Sequence, residues 1–353
     1  MKRRELVRAR LVTQRLLGAP FASVAAAVAW FGAVQAQDYR GALWGIGQRV
    51  RGATEADVER AIATRAIVRT WPMRGTLHLL AAADVHWITR ALAPRVIARS
   101  AGRHRQLGLD ARTFAKARRV LERALAGQEP MTRDELYALL ARNRIAPTGQ
   151  RGIHILAMLA MQGVLCLGPH HGKQPTFTLL DEWIAPPPAR DREDALGELA
   201  RRYFTSHGPA TLADFAWWTG LPLGDARRAH ALARPDLDEI IVDGQPCSWV
   251  PARRRGAGPA VHLLPAYDEY TVAYRERGAI LDPAHAARAG NGIFSPVIVV
   301  AGQIAGTWTR ELRRDRVIVR ANLLRAAARA PLTAAVVRYA AFHGRAGELA
   351  HAR

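Results

Sequence analysis

Mainly helical α+β is the fold class that the sequence predicts, on three observations. An order of helix, helix, helix and β-hairpin is written into the middle of the chain, recurs after the Pro-Pro-Pro break at 186–188, and is traceable less cleanly at the start. Strand-like apolar runs at 261–272 and 296–310 follow. Hydrophobic content of 49% over 353 residues is ample for two or three folded cores. Three helices and a hairpin are the plan of a winged helix. The reading is therefore a tandem array of three winged-helix units, at 1–105, 106–188 and 189–255, with a mixed, β-rich C-terminal region at 256–353.

The first unit is read as helices near 3–17, 21–35 and 54–64 before a hairpin through 68–80. In the second, 113–126 is a helix, and Thr132-Arg133-Asp134-Glu135 sets a capping Thr three residues before an acid, opening a helix to about Ala141. A third helix at 152–162 leads into two short strands around a Pro/His/Gly/Lys tip. The third unit repeats this with helices at 193–206, 211 onward and 223–233, then two strands around Asp243-Gly244. Glu129-Pro130-Met131-Thr132 and Gly208-Pro209-Ala210-Thr211 mark the repeat, weakly by identity. In the last region, 261–272 and 296–310 read as strands, with Ala301-Gly302 as a turn.

Charge sets the class of partner. The chain holds 51 basic and 30 acidic residues, a net +21. Residues 1–105 carry 18 basic and 6 acidic groups, so over half the excess sits in under a third of the chain. A soluble, polyanion-binding protein is expected, with much of the phosphate contact in the first unit. Cys166 and Cys247 are far apart and form neither a disulfide framework nor a metal knuckle, which fits a reducing cytoplasm. The start of the chain imitates a signal peptide, but its basic segment continues through Arg8, Arg10 and Arg15 with a helical period. No apolar run approaches the roughly 20 residues that cross a bilayer. There is no P-loop, no GxSxG elbow and no complete GxGxxG, so no cofactor and no nucleotide is expected.

Two neutral amides, Gln35 and Gln37, end the apolar run from Trp30 to Tyr39. Two apart, they diverge by roughly 200° on a helix but share a side of an extended segment, so they converge only if the helix ends near Val34. Two amides can hold one water by accepting its protons; glutamine is no base at neutral pH, so such a site orients water and favours a positively charged sugar. The alternative is that both merely cap a helix end. With Thr70-Trp71-Pro72-Met73-Arg74-Gly75-Thr76-Leu77-His78-Leu79 downstream, this run resembles the AlkZ-like DNA glycosylases, tandem winged-helix proteins with a catalytic Gln-x-Gln motif. The resemblance covers nearly the whole chain. It implies that Gln35 and Gln37 are catalytic, whereas a sister branch has Asp at the second position, which leaves the role of the adjacent Asp38 open.

The resemblance further implies a monofunctional enzyme that hydrolyses the N-glycosidic bond of N7-alkylated purines, including bulky adducts or crosslinks, in double-stranded DNA and leaves an abasic site. A monomer in the cytoplasm, associated with the nucleoid, is expected. None of the three lysines, Lys2, Lys116 and Lys173, lies in a motif that looks activated for Schiff-base chemistry. A non-catalytic winged-helix DNA-binding regulator explains the charge and the repeats equally well. Arg74 and Thr76 fall at a hairpin suited to a sugar-phosphate backbone, and His78 either faces the site or fills the core. Lys173, with His170 and His171, crowns the second wing; with Cys166 they hint at zinc, but no second ligand pair has suitable spacing. Leu264-Pro265-Ala266-Tyr267-Asp268-Glu269-Tyr270 also resembles a family segment, though neighbouring carboxylates on a strand point opposite ways. Residues 298–308 resemble the family's DNA-contacting hairpin, with Gln303 near its tip; an ordinary core hairpin is the other reading.

Overall fold

The computed structural model describes residues 1–251 and 257–350. The expected end of the third unit, at 255, lies outside the described residues. Compactness divides the chain into two units: Met1–Val58, Leu196–Trp218 and Pro222–Arg353 form one, and Glu59–Ala195 with Thr219–Leu221 the other.

The second of these holds the long helix Val85–Gln106 and the helices Ala111–Leu125, Arg133–Arg142 and Arg151–Met161. Asp110 caps one of them by accepting the Thr113 N–H at 2.7 Å. The expected capping box is formed: the Glu135 carboxylate accepts the Thr132 N–H at 2.7 Å while the Thr132 hydroxyl accepts the Glu135 N–H at 3.3 Å. Phe114, Ala117, Leu121 and Leu125 recur every third or fourth residue, which lays one face of the first of these three helices on Leu136, Leu140, Ile155 and Leu159. The hairpin Leu165–Leu167/Thr176–Leu179 follows them, in the order of helices and hairpin expected for the second unit. It joins the hairpin Ile67–Met73/Thr76–Ala81 edge to edge through Arg69 and Leu167, and Met131–Thr132 pairs on its far side.

In the other unit, the hairpin Asp238–Val242/Gln245–Trp249 turns through Asp243 at φ 47° and Gly244 at φ 77°, the left-handed pair that the Asp-Gly signal implies. It follows Leu223–Ala233, the last of the three helices expected for the third winged helix. A five-stranded sheet runs Val261–Leu264, Val297–Val300, Gln303–Leu312, Arg316–Leu323 and Ala346–Ala350 in spatial order. The first four are antiparallel. The last is parallel to its neighbour and is reached over the helix Arg329–Phe342, as a parallel connection requires. Val7 and Leu11 of the opening helix pack with Leu264, Tyr270, Val297 and Ile304.

Three expectations are corrected. The opening helix covers Arg3–Thr13 rather than 3–17, because Arg15 at φ 57° and Gly18 at φ 93° leave helical space. A further helix, Tyr39–Gly47, stands between those expected at 21–35 and 54–64, so four helices precede the first hairpin. The strand expected over 261–272 stops at Leu264: Pro265 offers no N–H, Tyr267 sits at φ 62°, and Asp268 caps the short helix Glu269–Val272 by accepting the Tyr270 N–H.

Candidate active site

The glutamine pair is placed by two opposed helix signals. Ser23 caps the helix Val24–Phe31 by accepting the Ala26 N–H at 3.2 Å, and Gly32, at φ 78°, ends it with its N–H on the Val28 and Ala29 carbonyls. A Cβ at Gly32 would meet only ordinary contacts, so it is the backbone angle that asks for glycine. The chain is then extended at Val34–Gln35, the condition under which residues two apart can share a side. Asp38 next caps Tyr39–Gly47, accepting the Gly41 N–H at 3.1 Å. Gln35 is 7% exposed, with its Oε1 buried and without a hydrogen-bond partner; Gln37 is exposed and Asp38 half-buried. Leaving a buried acceptor unsatisfied costs about 1–3 kcal/mol, the kind of strain that functional sites hold.

Beneath Gln35 lies the segment that follows Leu264. Asp268 and Glu269 do not act as a pair. Asp268 forms a bidentate ion pair with Arg49, at 2.7 and 2.8 Å, with both side chains at most 2% exposed. The remaining N–H groups of Arg49 reach the Gln14 and Gly45 carbonyls. Glu269, also 2% exposed, accepts the Gln35 main-chain N–H on Oε1 at 2.8 Å and the Trp218 indole N–H on Oε2 at 2.9 Å. His207 Nε2 lies 3.2 Å from the same Oε2, and its Nδ1 is 2.8 Å from the Ser206 hydroxyl. Burial, only partly offset by Glu269, holds the His207 imidazole below its ordinary pKa, so a neutral ring donating from Nε2 fits the geometry. A cavity of about 10 Å³, near the size of one water, is lined by Phe31, Gln35, Gly45, Arg49, Pro265 and Glu269.

The other expected site residues are carried by hairpins. Arg74 and Gly75 turn their hairpin at φ 56° and 75°. Arg74 is half-buried with Nη2 3.1 Å from His78 Nε2, and His78, fully buried, places Nδ1 3.0 Å from the Thr76 carbonyl. Thr76 is half-buried, its hydroxyl without a hydrogen-bond partner. Lys173 is exposed on its wing. Gln303 is half-buried and accepts from Arg325 at 2.8 Å, while the adjacent Gly302 packs on Val7 and its carbonyl accepts the Tyr270 hydroxyl. This turn is embedded. The opposite end of the same strand reaches an exposed turn bearing Arg313, Arg314 and Arg316, which sequence reading passed over. His207 and Trp218 were missed too, and Glu269 was seen only as one of two neighbouring acids: Glu269 meets Gln35, and His207 and Trp218 meet Glu269, across separations in sequence that no local pattern encodes. Among the described residues no cluster of three or more His, Cys, Asp or Glu could hold a metal, and no helix is long and apolar enough to cross a membrane.

The AlkZ-like DNA glycosylase family matches residues 28–342, a span that contains the glutamine motif, the hairpin bearing Arg74 to His78 and the Asp268–Glu269 segment. The chain belongs to this family. It is a DNA glycosylase. Among similar AlkZ-like proteins, the interstrand DNA cross-link repair glycosylase of Streptomyces sahachiroi is 26% identical over 296 residues, 78% of this chain and 79% of that one. The solved structure of Streptomyces sahachiroi DNA glycosylase AlkZ superposes with a TM-score of 0.81 at 23% identity over 100% of each chain, which makes the fold common to both.

Proposed function

We propose that this AlkZ-like glycosylase hydrolyses the N-glycosidic bond of N7-alkylated purines in duplex DNA with a water directed by Gln35 and Gln37. The observation that carries this reading is the helix end at Gly32, which leaves Gln35 extended with a buried, unpartnered side-chain oxygen. Alkylation at N7 makes the purine cationic. As the C1′–N9 bond breaks, its electron pair moves onto the base, which leaves neutral; the positive charge passes to the sugar ring. Water adds to C1′ and gives up one proton to solvent, leaving an abasic site. No general acid is needed for such a leaving group, and amide oxygens suffice to hold the water and favour the cation. Asp38, whose carboxylate caps a helix, is assigned to shaping the loop.

The Streptomyces relative is named for repair of interstrand cross-links, and bulky or crosslinking N7 lesions are accordingly the substrate class proposed here. Lys173, Arg74, Thr76 and the exposed Arg313, Arg314 and Arg316 are proposed to contact the DNA backbone, and Gln303 to support its turn rather than read a groove. The test is release of N7-methylguanine from methylated duplex DNA, followed by mass spectrometry, for wild type, Gln35→Ala and Gln37→Ala. Loss of release in folded, DNA-binding variants supports the reading; release at the wild-type rate overturns it. Borohydride should trap no covalent protein–DNA adduct.

A further inference from the structure

Gln35 can direct a water only if its main chain is held still, yet it follows a helix that has already ended and belongs to an extended stretch of two residues. One group that holds it is a side chain 234 residues away: the Gln35 N–H donates to Glu269 Oε1 at 2.8 Å. The other oxygen of that carboxylate is fixed from two directions, by the Trp218 indole N–H at 2.9 Å and by His207 Nε2 at 3.2 Å. Trp218 and His207 are fully buried. His207 is stacked on Tyr203, and its carbonyl accepts the Tyr274 hydroxyl at 2.7 Å. Glu269 itself begins a short helix whose cap, Asp268, is locked by Arg49. Donors converging on both oxygens leave the carboxylate a single orientation.

We propose that Glu269 is the positioning residue of the active site. Its carboxylate anchors the Gln35 main chain to the buried aromatic cluster around Trp218 and His207, and so sets the direction in which the Gln35 amide presents its oxygen. This rests on the catalytic reading of Gln35. In this proposal Glu269 makes no contact with DNA and acts on the reaction through Gln35.

The test is Glu269→Gln, a near-isosteric change. Glutamine presents an oxygen on one side and N–H₂ on the other, so at least one of the Gln35 and Trp218 donors meets another donor. Displacing a reacting group by an ångström costs roughly 10²-fold, which is the expected fall in kcat, with KM and DNA affinity unchanged. Because Glu269 acts through Gln35, the double variant Glu269→Gln/Gln35→Ala should be no slower than Gln35→Ala alone. Trp218→Phe keeps the ring and removes one donor to Glu269, giving a smaller loss in the same direction should Glu269→Gln fold poorly. A Glu269→Gln enzyme with wild-type kcat overturns the proposal. So does a lowered Tm with unchanged kcat per folded molecule, or a loss that multiplies with that of Gln35→Ala. An active Gln35→Ala would remove the reading beneath; an inactive Gln35→Ala beside a fully active Glu269→Gln would remove only the role of Glu269.

Discussion

Asp268→Asn should destabilise this glycosylase far more than its small chemical change suggests. The wild-type pair is bidentate, with Arg49 2% and Asp268 1% exposed in their side chains, so water cannot replace the lost charge. Asparagine keeps an oxygen able to cap the Tyr270 N–H but sets an N–H₂ against the guanidinium. Breaking a buried pair from one side costs about 3–5 kcal/mol. Arg49 retains the Gln14 and Gly45 carbonyls, which argues for the lower end. At about 2–4 °C per kcal/mol, the Tm should fall by roughly 6–12 °C. The assay is thermal unfolding by near-ultraviolet circular dichroism at low and high salt, with Asp243→Asn as control. Asp243 pairs with Arg3 at 3.0 Å, but both side chains are 57% exposed, and such pairs contribute about 0–1 kcal/mol. A Tm loss in Asp268→Asn no larger than in Asp243→Asn would refute the reasoning.

Gly32→Ala places a Cβ on a residue at φ 78° with room around it, so the cost is in the backbone, about 1–2 kcal/mol; chemical denaturation should read that loss, and single-turnover kinetics a slowed base release as the chain to Gln35 shifts. Arg314→Ala, on the exposed turn, should weaken binding to all DNA sequences alike and reduce the salt slope by about 1, measured by fluorescence anisotropy across a salt series. Hydrogen bonding from His343 at 2.9 Å, opposed by burial, holds the Glu55 carboxyl below its ordinary pKa of 4.5. Its stabilising contribution is therefore present above that value and lost as pH falls through the lower native one, so Glu55→Gln should flatten acid destabilisation in urea melts below about pH 4.5.

The helices expected at 113–126 and from Thr132 to about Ala141 were legible because each carries its own local signal: an apolar stripe from Phe114 to Leu125, and the Thr132–Glu135 box. The helix Tyr39–Gly47 was hidden by its own composition. Three of its nine residues are glycines, poor helix formers. Their reason is tertiary: a Cβ at Gly47 would come within 2.2 Å of Phe342, and one at Gly41 within 2.5 Å of Asp38 and 3.2 Å of Pro265. The helix Val85–Gln106 likewise runs through Pro94, which reads as a break. At the site, the glutamine spacing is local and visible, whereas the helix expected to run to 35 stops at Gly32. Glu269 was visible only as one of two adjacent acids; that Asp268 turns to Arg49 and Glu269 to Gln35 is decided by the turn at Pro265–Tyr267 and by contacts with distant parts of the chain.

The central claim is that two glutamines hold one water. Single-turnover release of N7-methylguanine by Gln35→Ala, Gln37→Ala and the double variant, each shown to bind DNA as wild type does, tests it most directly. If both amides serve the same water, each single change should slow release by about 10²–10³-fold and the double change should be no slower than the worse single one. Wild-type rates in either single variant, or losses that multiply in the double, would contradict the account.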